Sequence, residues 1–377
     1  MNKSDKKTFN ILHVITRLPV GGVENMLLKV VTGYDRSRFN PVVCCIKEGG
    51  EIADELVRRG IKVHILHRMK GHGFDWRAIR DVYRVIKEER IHILRTHQYH
   101  ANLYGRLAGI VAGVPVIIPS FHNLYLSPDR PKFHRMLINR LLAVWSDRLV
   151  AVSRAVAEDI QRFDRVSPEK IRIIHNGVDI ERFRVSINKK DARRMFGLPE
   201  EGRIVGSLGR LTQQKGYEYL IEAVSDIREV VVVIAGDGPQ KAELQRKCES
   251  LGVECRFLGA IPPEEVPCFL RALDIFCSPS LWEGLPSALI EALASGLPVV
   301  VSDIPPHREI AGDAGVYVSP ADSTGLGRAI KGLIDDTSRH KRFIRAAMER
   351  AELFSIYKTI REYEALFEDC LRGVHHL

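Results

Sequence analysis

Short apolar runs alternate with amphipathic stretches along nearly the whole chain, the pattern of parallel sheets covered by helices. Apolar runs near 10–15, 41–46, 61–66, 91–96, 114–119, 148–152 and 171–174 predict seven strands in the first half. Stretches with helical periodicity near 22–34, 50–59, 75–89, 100–112, 132–145 and 153–163 predict the helices between them. After the Asn176-Gly177 turn the chain is irregular and polar to about Glu201, which marks a linker. The alternation then restarts, with strands near 203–208, 230–235, 254–258, 274–278, 297–301 and 315–318. Helices are expected near 214–225, 239–250, 264–272, 286–295, 306–311 and 323–335, and two more near 338–352 and 356–372 close the chain. The expected fold is α/β, with two doubly wound domains over 1–180 and 181–355 and a last helix, 356–377, packing back on the first. Such sheets bind ligands at the carboxyl ends of their strands, so a cleft between the two is the expected site.

Composition changes this picture little: 377 residues with 45% hydrophobic and 27% charged suit two soluble domains. Charge changes it more. Residues 1–180 hold 30 Lys and Arg against 18 Asp and Glu, a balance of +12, while residues 181–377 hold 26 against 29. Basicity therefore belongs to the first half, and an anionic partner should dock there. The charge alone would suit nucleic acid, but no aromatic-basic module accompanies it, so no nucleic-acid partner is expected. Seven cysteines form no C-x-x-C pair, and adjacent Cys44 and Cys45 should point to opposite faces of one strand, which favours a reducing compartment. MNKSDKKTFN lacks the pattern of a signal peptide, and the apolar stretch 107–121, interrupted by Gly109, Gly113, Pro115 and Pro119, is too short to span a bilayer; a cytoplasmic location is expected.

The candidate chemistry concentrates in SLWEGLPSALIEALASGLPVV, which begins at Ser280. Glu283 ends a loop, Gly284 permits a tight turn, Leu285 and Pro286 lead to a helix start near Ser287, and Glu291 falls about two turns inside. A helix start presents unpaired N–H groups and positive dipole density, which suit a diphosphate, and a carboxylate can accept two hydrogen bonds from a vicinal diol. In GSLGRLTQQKG a strand delivers Gly206 and Gly209 to a tight loop that carries Arg210 and Lys215. Glycines let backbone approach a phosphate, Arg supplies a planar fork and Lys a point charge. No D-x-D occurs in the chain. Taken singly, each of these charges is an ordinary solvated side chain; their co-occurrence favours function.

This constellation resembles the paired-glutamate motif of retaining glycosyltransferases of the GT-B fold, above all glycosyltransferase family 4. The resemblance extends through PVGGVENMLL at 19–28, RTHQYHANLYGRLAG at 95–109, SFHN at 120–123, AVSRAVAEDI at 151–160, IIHNGVD at 173–179 and AGDGP at 235–239. It implies two Rossmann-like domains facing across a cleft, and transfer of a hexose from a UDP- or GDP-type sugar to a glycan, lipid-linked or surface-polysaccharide precursor. Arg210 and Lys215 would neutralise the leaving diphosphate, with no metal and no further cofactor. Glu283, Gly284, Leu285, Pro286, Ser287 and Glu291 would hold the donor, and Gly209, Gly236 and Leu258 would line its nucleotide end. Gly21 and Gly22 would lie against the phosphates, with Glu24 beside them. His122 would contact the sugar near its anomeric carbon, and His97, His100 and Asn176 stand as acceptor-side candidates. Retention implies same-face attack, with the departing diphosphate oxygen taking the acceptor proton.

Two alternatives remain at this stage. A nucleotide-sugar 2-epimerase shares the architecture, and a non-catalytic sugar-nucleotide-binding protein would keep the binding residues alone. A second open question is the basic stretch from Asp129 to Arg148, with Phe133, Leu137, Leu141 and Trp145 at helical spacing among Lys132, Arg135 and Arg140. Its apolar stripe is either core or a peripheral contact with anionic membrane.

Overall fold

The computed structural model describes residues 8–69, 74–125 and 133–374. Lys132 and the residues around Asp129 lie outside them. The chain divides into two compact units, Met1–Asn176 with Ile356–Leu377, and Gly177–Ser355.

The first unit carries seven parallel strands: β1 Phe9–Ile15, β2 Phe39–Cys45, β3 Lys62–Ile65, β4 Ile93–His97, β5 Val116–Phe121, β6 Leu149–Ala151 and β7 Ile171–Ile173. They lie in the order β3-β2-β1-β4-β5-β6-β7. Strands covered on both faces read as unbroken apolar runs, and all six residues of β5 are buried. Successive side chains point to opposite faces. Cys45 therefore joins a core built with Ile11, Ile15 and the last helix, while Cys44 joins Leu12, Val14 and the helices Trp76–Glu88 and Tyr99–Ala112. The last helix, Ile356–Val374, buries Ile360, Tyr363, Phe367 and Cys370 in this unit, an apolar stripe at helical spacing. Thr359 Oγ1 ties it by a 2.9 Å bond to the carbonyl of His175.

The second unit has six parallel strands: β8 Arg203–Leu208, β9 Val230–Ala235, β10 Cys255–Gly259, β11 Ile275–Ser278, β12 Val299–Ser302 and β13 Gly315–Val318. The order is β10-β9-β8-β11-β12-β13. In both units the strand order reverses beside the first strand, between β1 and β4 and between β8 and β11. Connections leave to opposite faces at these two points, which opens a crevice above the carboxyl ends of the strands.

Three local expectations need correction. The segment taken as a linker to Glu201 contains the helix Lys189–Met195 and is part of the second unit. Asn188 caps it, and buried Arg193 donates to Asp274 at 2.7 Å. A helix anchored by an ion pair rather than an apolar stripe leaves no periodicity to read. The helix expected over 214–225 is interrupted at Gly216, whose left-handed φ of 61° separates a 3₁₀ turn, Gln213–Lys215, from the helix Tyr217–Val224. A Cβ at Gly216 would run into the carbonyl oxygen of Pro279, so the loop after β11 sets the break. The helix near 153–163 ends at Asp159 and continues as a π-turn, Ile160–Asp164.

Candidate active site

At the β8/β11 switch point the loops after both strands meet. Leu281 N donates to the carbonyl of Gln214 at 2.8 Å, and Gln214 Nε2 donates to the carbonyl of Trp282 at 3.0 Å. These bonds bring Lys215 Nζ to 2.6 Å from Glu283 Oε1. The Glu283 side chain is 6% exposed, and it also accepts from Ser280 Oγ at 2.8 Å and Gln214 Nε2 at 3.2 Å. Burying a carboxylate is costly unless it is paired and hydrogen-bonded, and these partners supply both. The pair uses one of the three N–H bonds of the lysine ammonium, which leaves two for a ligand.

Behind this pair, His307 is fully buried between the carbonyl of Ser302, 2.8 Å from its Nδ1, and Ser278 Oγ, 3.2 Å from its Nε2. Burial pushes its pKa down to about 4, so the ring is neutral. The carbonyl can only accept, so Nδ1 carries the proton and Nε2 accepts from Ser278.

Gly209 and Gly236 pack backbone to backbone at the ends of β8 and β9, and a Cβ on Gly236 would run into the carbonyl oxygen of Gly209. Gly236 N donates to the carbonyl of Gly259, next to half-buried Leu258, at 2.6 Å. Arg210 is exposed beside them. Gly284, Leu285 and Pro286 are buried, and Pro286 caps the helix Ser287–Ala294. Ser287 and Glu291 are half-buried, Glu291 one turn inside the helix and not two, because the helix begins only after Pro286.

In the first unit, Gly21 stands at the start of the helix Gly22–Gly33, and a Cβ there would collide with Glu24 Oε2. Buried Glu24 accepts from Gln98 Nε2 at 2.7 Å, which links the connections after β1 and β4. Gln98 holds a positive φ of 68°, a strained conformation of the kind that clusters at functional sites. His122 follows β5 at the carboxyl edge of the sheet, with Nε2 at 3.4 Å from Nδ1 of His97. His97 in turn lies 3.2 Å from His13 on β1. Burial, then the Arg95 cation, hold the His122 ring down to about 3. His100 is exposed, one residue into its helix, and Asn176 is buried at the end of the unit.

The helix Phe133–Val144 decides between the two readings of its stripe. It buries Asn139, Leu142 and Ala143, whereas Phe133 is 75% and Trp145 56% exposed, with Leu137, Leu141 and Val144 exposed too. The reading of this stripe as core is therefore wrong: the side that packs inward is held by Asn139, which accepts from buried Arg106 at 2.5 Å. Phe133, Met136 and Leu137 line a groove of about 320 Å³ rimmed by Arg140, Arg162 and Arg165.

Comparison with known proteins places these observations. The profile described as Glycosyltransferase Family 4 matches residues 20–182, and that described as Glycosyl transferases group 1 matches residues 188–350. The UDP-Gal:alpha-D-GlcNAc-diphosphoundecaprenol alpha-1,3-galactosyltransferase of Escherichia coli is 31% identical over 315 residues, 80% of this chain and 81% of that protein. The chain belongs to glycosyltransferase family 4. Among solved structures, Anabaena HepE in complex with UDP and glucose matches with a TM-score of 0.86 at 21% identity, covering 96% of this chain and 100% of that one. The sucrose-phosphate synthase of Thermosynechococcus elongatus matches with a TM-score of 0.79 at 17% identity, over 97% and 100%. The fold is thus GT-B, two parallel-sheet Rossmann-like domains, and the enzyme is a nucleotide-sugar-dependent glycosyltransferase.

Within each unit of the glycosyltransferase, Gly209, Arg210, Lys215, Glu283 and Ser287 lie at the β8/β11 switch point and Gly21, Gly22 and His97 at the β1/β4 one, while Gly236 and His122 follow the neighbouring strands β9 and β5. His100 and Asn176 have no contact with that histidine cluster in the hydrogen bonds of the described residues. Sequence reasoning missed Gln214, Ser280 and His307 around Glu283, and His13, Tyr34 and Arg95 around His122. A lone histidine inside the apolar run FNILHVI was the available signal for His13. Among the described residues, no group of three or more His, Cys, Asp or Glu is placed to hold a metal, and no helix is long and apolar enough to cross a membrane.

Proposed function

We propose that this glycosyltransferase is a retaining, metal-independent hexosyltransferase that uses a UDP- or GDP-type sugar and acts on a glycan, lipid-linked or surface-polysaccharide precursor. The observation that carries the reading is the Lys215–Glu283 pair at the β8/β11 switch point, beside the helix start at Ser287. There the Lys215 ammonium, the exposed Arg210 guanidinium and the first N–H groups of the helix can share the charge of a leaving diphosphate. Glu283 and Glu291 serve the sugar or ribose hydroxyls. His122 contacts the sugar near its anomeric carbon. The acceptor hydroxyl attacks on the face that the diphosphate leaves, a diphosphate oxygen takes its proton, and no enzyme nucleophile is needed. Family membership supports retention, and the α-1,3 linkage in the name of the Escherichia coli relative agrees with it. A panel of nucleotide sugars, read by released diphosphate, tests the reading. Conversion of donor alone into an epimer, without diphosphate release, would overturn it.

Metal independence is motivated by the missing D-x-D together with Arg210 and Lys215. Turnover is expected to be unchanged by EDTA; activity abolished by the chelator and restored by magnesium or manganese would sink this part.

The enzyme works, in this reading, on the cytoplasmic face of a membrane, docked through its first domain. The name of the Escherichia coli relative specifies a diphosphoundecaprenol-linked sugar as its acceptor, and the exposed stripe from Phe133 to Trp145 with its basic rim suits an anionic bilayer surface. Each Lys or Arg near such a surface contributes about 1 kcal/mol, so three or four give reversible docking. Liposome co-sedimentation should require anionic lipid, fall with salt, and weaken when Lys132, Arg135 and Arg140 become glutamine. A protein that stays in the supernatant at low salt would remove the membrane part and leave the donor site untouched.

A further inference from the structure

We propose that Tyr34, His13 and His97 are positioning residues, a hydrogen-bonded line of one polarity that holds His122 in its Nδ1–H tautomer, so that His122 meets the donor sugar as a hydrogen-bond donor and not as a base. The functional half of this inference rests on the reading above that His122 contacts the sugar.

The polarity starts at Arg95, a fully buried guanidinium whose hydrogen-bonding groups are all donors. Its Nη2 donates to Ser120 Oγ at 2.7 Å and its Nη1 to the Tyr34 hydroxyl at 3.3 Å. The Tyr34 oxygen therefore accepts, and its own hydrogen must go elsewhere. In the hydrogen bonds of the described residues the acceptor it meets is His13 Nε2, at 3.4 Å. With Nε2 accepting, a neutral His13 carries its proton on Nδ1, which faces His97 Nε2 at 3.2 Å. The same step repeats. His97 Nδ1 donates to His122 Nε2 at 3.4 Å, and His122 is left with its proton on Nδ1.

The opposite polarity would take from the Tyr34 hydrogen the acceptor His13 offers, a costly state for a hydroxyl on a residue only 3% exposed. The line closes at a nitrogen that is itself buried and has no partner among the described residues: His122 Nδ1. It is the free donor end of the line. Neutral rings are required throughout, and the surroundings enforce this. Burial and then the Arg95 cation lower the pKa of His13, His97 and His122 alike. The rings of His13 and His97 stack at 5.4 Å with an interplanar angle of 10°, and those of His97 and His122 lie 5.7 Å apart, so the line is geometrically continuous. An Nδ1–H group can donate to a sugar hydroxyl or ring oxygen, and it has no lone pair with which to take the acceptor proton. The proton then falls to the departing diphosphate.

The test is proton-detected NMR of the whole enzyme labelled with ¹⁵N-histidine, which reads the protonated nitrogen of each ring. All three rings should be neutral with the proton on Nδ1, the reverse of the tautomer that free imidazole side chains favour; an Nε2–H signal for His122 overturns the proposal. In Tyr34→Phe, checked for folding by its melting temperature, the His122 signal should lose its single tautomer. Its kcat should fall roughly tenfold, the upper range for one neutral hydrogen bond, with KM for the donor little changed. His122→Asn places an amide N–H where Nδ1–H stood, so Tyr34→Phe should add no further loss on that background; a full additional loss also overturns the proposal. Should Tyr34→Phe fail to fold, the wild-type tautomers alone decide. Wild-type turnover in His122→Ala would separate the two layers: it removes the sugar contact, and with it the functional half, while the tautomer line itself stands or falls on the NMR.

Discussion

Replacing Lys215 with alanine should cost this enzyme both stability and turnover, and the two losses should be separable. Glu283 is nearly inaccessible and Lys215 is its ion-pair partner, so removing the cation strands a buried carboxylate. Breaking such a pair costs about 3–5 kcal/mol, and the surviving donors Ser280 and Gln214 argue for the lower end. The loss of a charge-assisted contact to the diphosphate adds about 1.5–3 kcal/mol to the barrier, roughly tenfold to over a hundredfold in kcat/KM. Pairing the change with Glu283→Gln removes the stranded charge. The double variant should recover most of the melting temperature and none of the turnover. If it recovers turnover as well, Lys215 acts only as a structural counter-ion. Glu291→Ala, half-buried on a formed helix, should keep its fold and lose donor affinity by a similar 1.5–3 kcal/mol; wild-type affinity in the folded variant contradicts its assignment.

Gly236→Ala is expected to be the most damaging single methyl group in the second unit. The residue has a φ of 142°, a region L side chains rarely adopt, and the new Cβ would enter the carbonyl oxygen of Gly209. Neither side can retreat freely. Gly236 is held by its 2.6 Å bond to Gly259, and Gly209 donates to the carbonyl of Ala235 at 3.0 Å while itself at a φ of 152°. Backbone strain of about 1–3 kcal/mol and a clash of about 1–3 kcal/mol should add, which lowers the melting temperature by roughly 10 °C. Gly252→Ala makes the control: its φ is 64° but no atom lies within 4 Å, so only the left-handed penalty of about 1–2 kcal/mol applies. Equal shifts in the two variants, measured by thermal and urea unfolding, would show that the close approach of the two loops carries no weight.

The two sheets and the family were legible in the order of residues alone. Strands buried on both faces admit few polar side chains, so β9 stands out as an unbroken apolar run, and the alternation of such runs with amphipathic helices specifies a parallel, doubly wound architecture. Local geometry was readable where a short segment carries it whole, as in the turn and helix start between Glu283 and Glu291, whereas Gly206, read as delivered to a loop, lies inside β8 against the Leu273 side chain. What required the tertiary structure is every relation between segments that neither periodicity nor spacing records. β4 lies between β1 and β5, which is why His13, His97 and His122 form one line although 109 positions separate the first from the last. The loops after β8 and β11 meet because the strand order reverses there, and this brings Lys215 onto Glu283 across 68 positions. A helix anchored by Arg193 on Asp274 looked like linker, because an ion pair leaves no trace in a hydrophobic pattern. The same limit applied to the helix Phe133–Val144. Helical spacing shows that apolar residues share one side, and only the packed structure decides whether that side faces a core or the solvent.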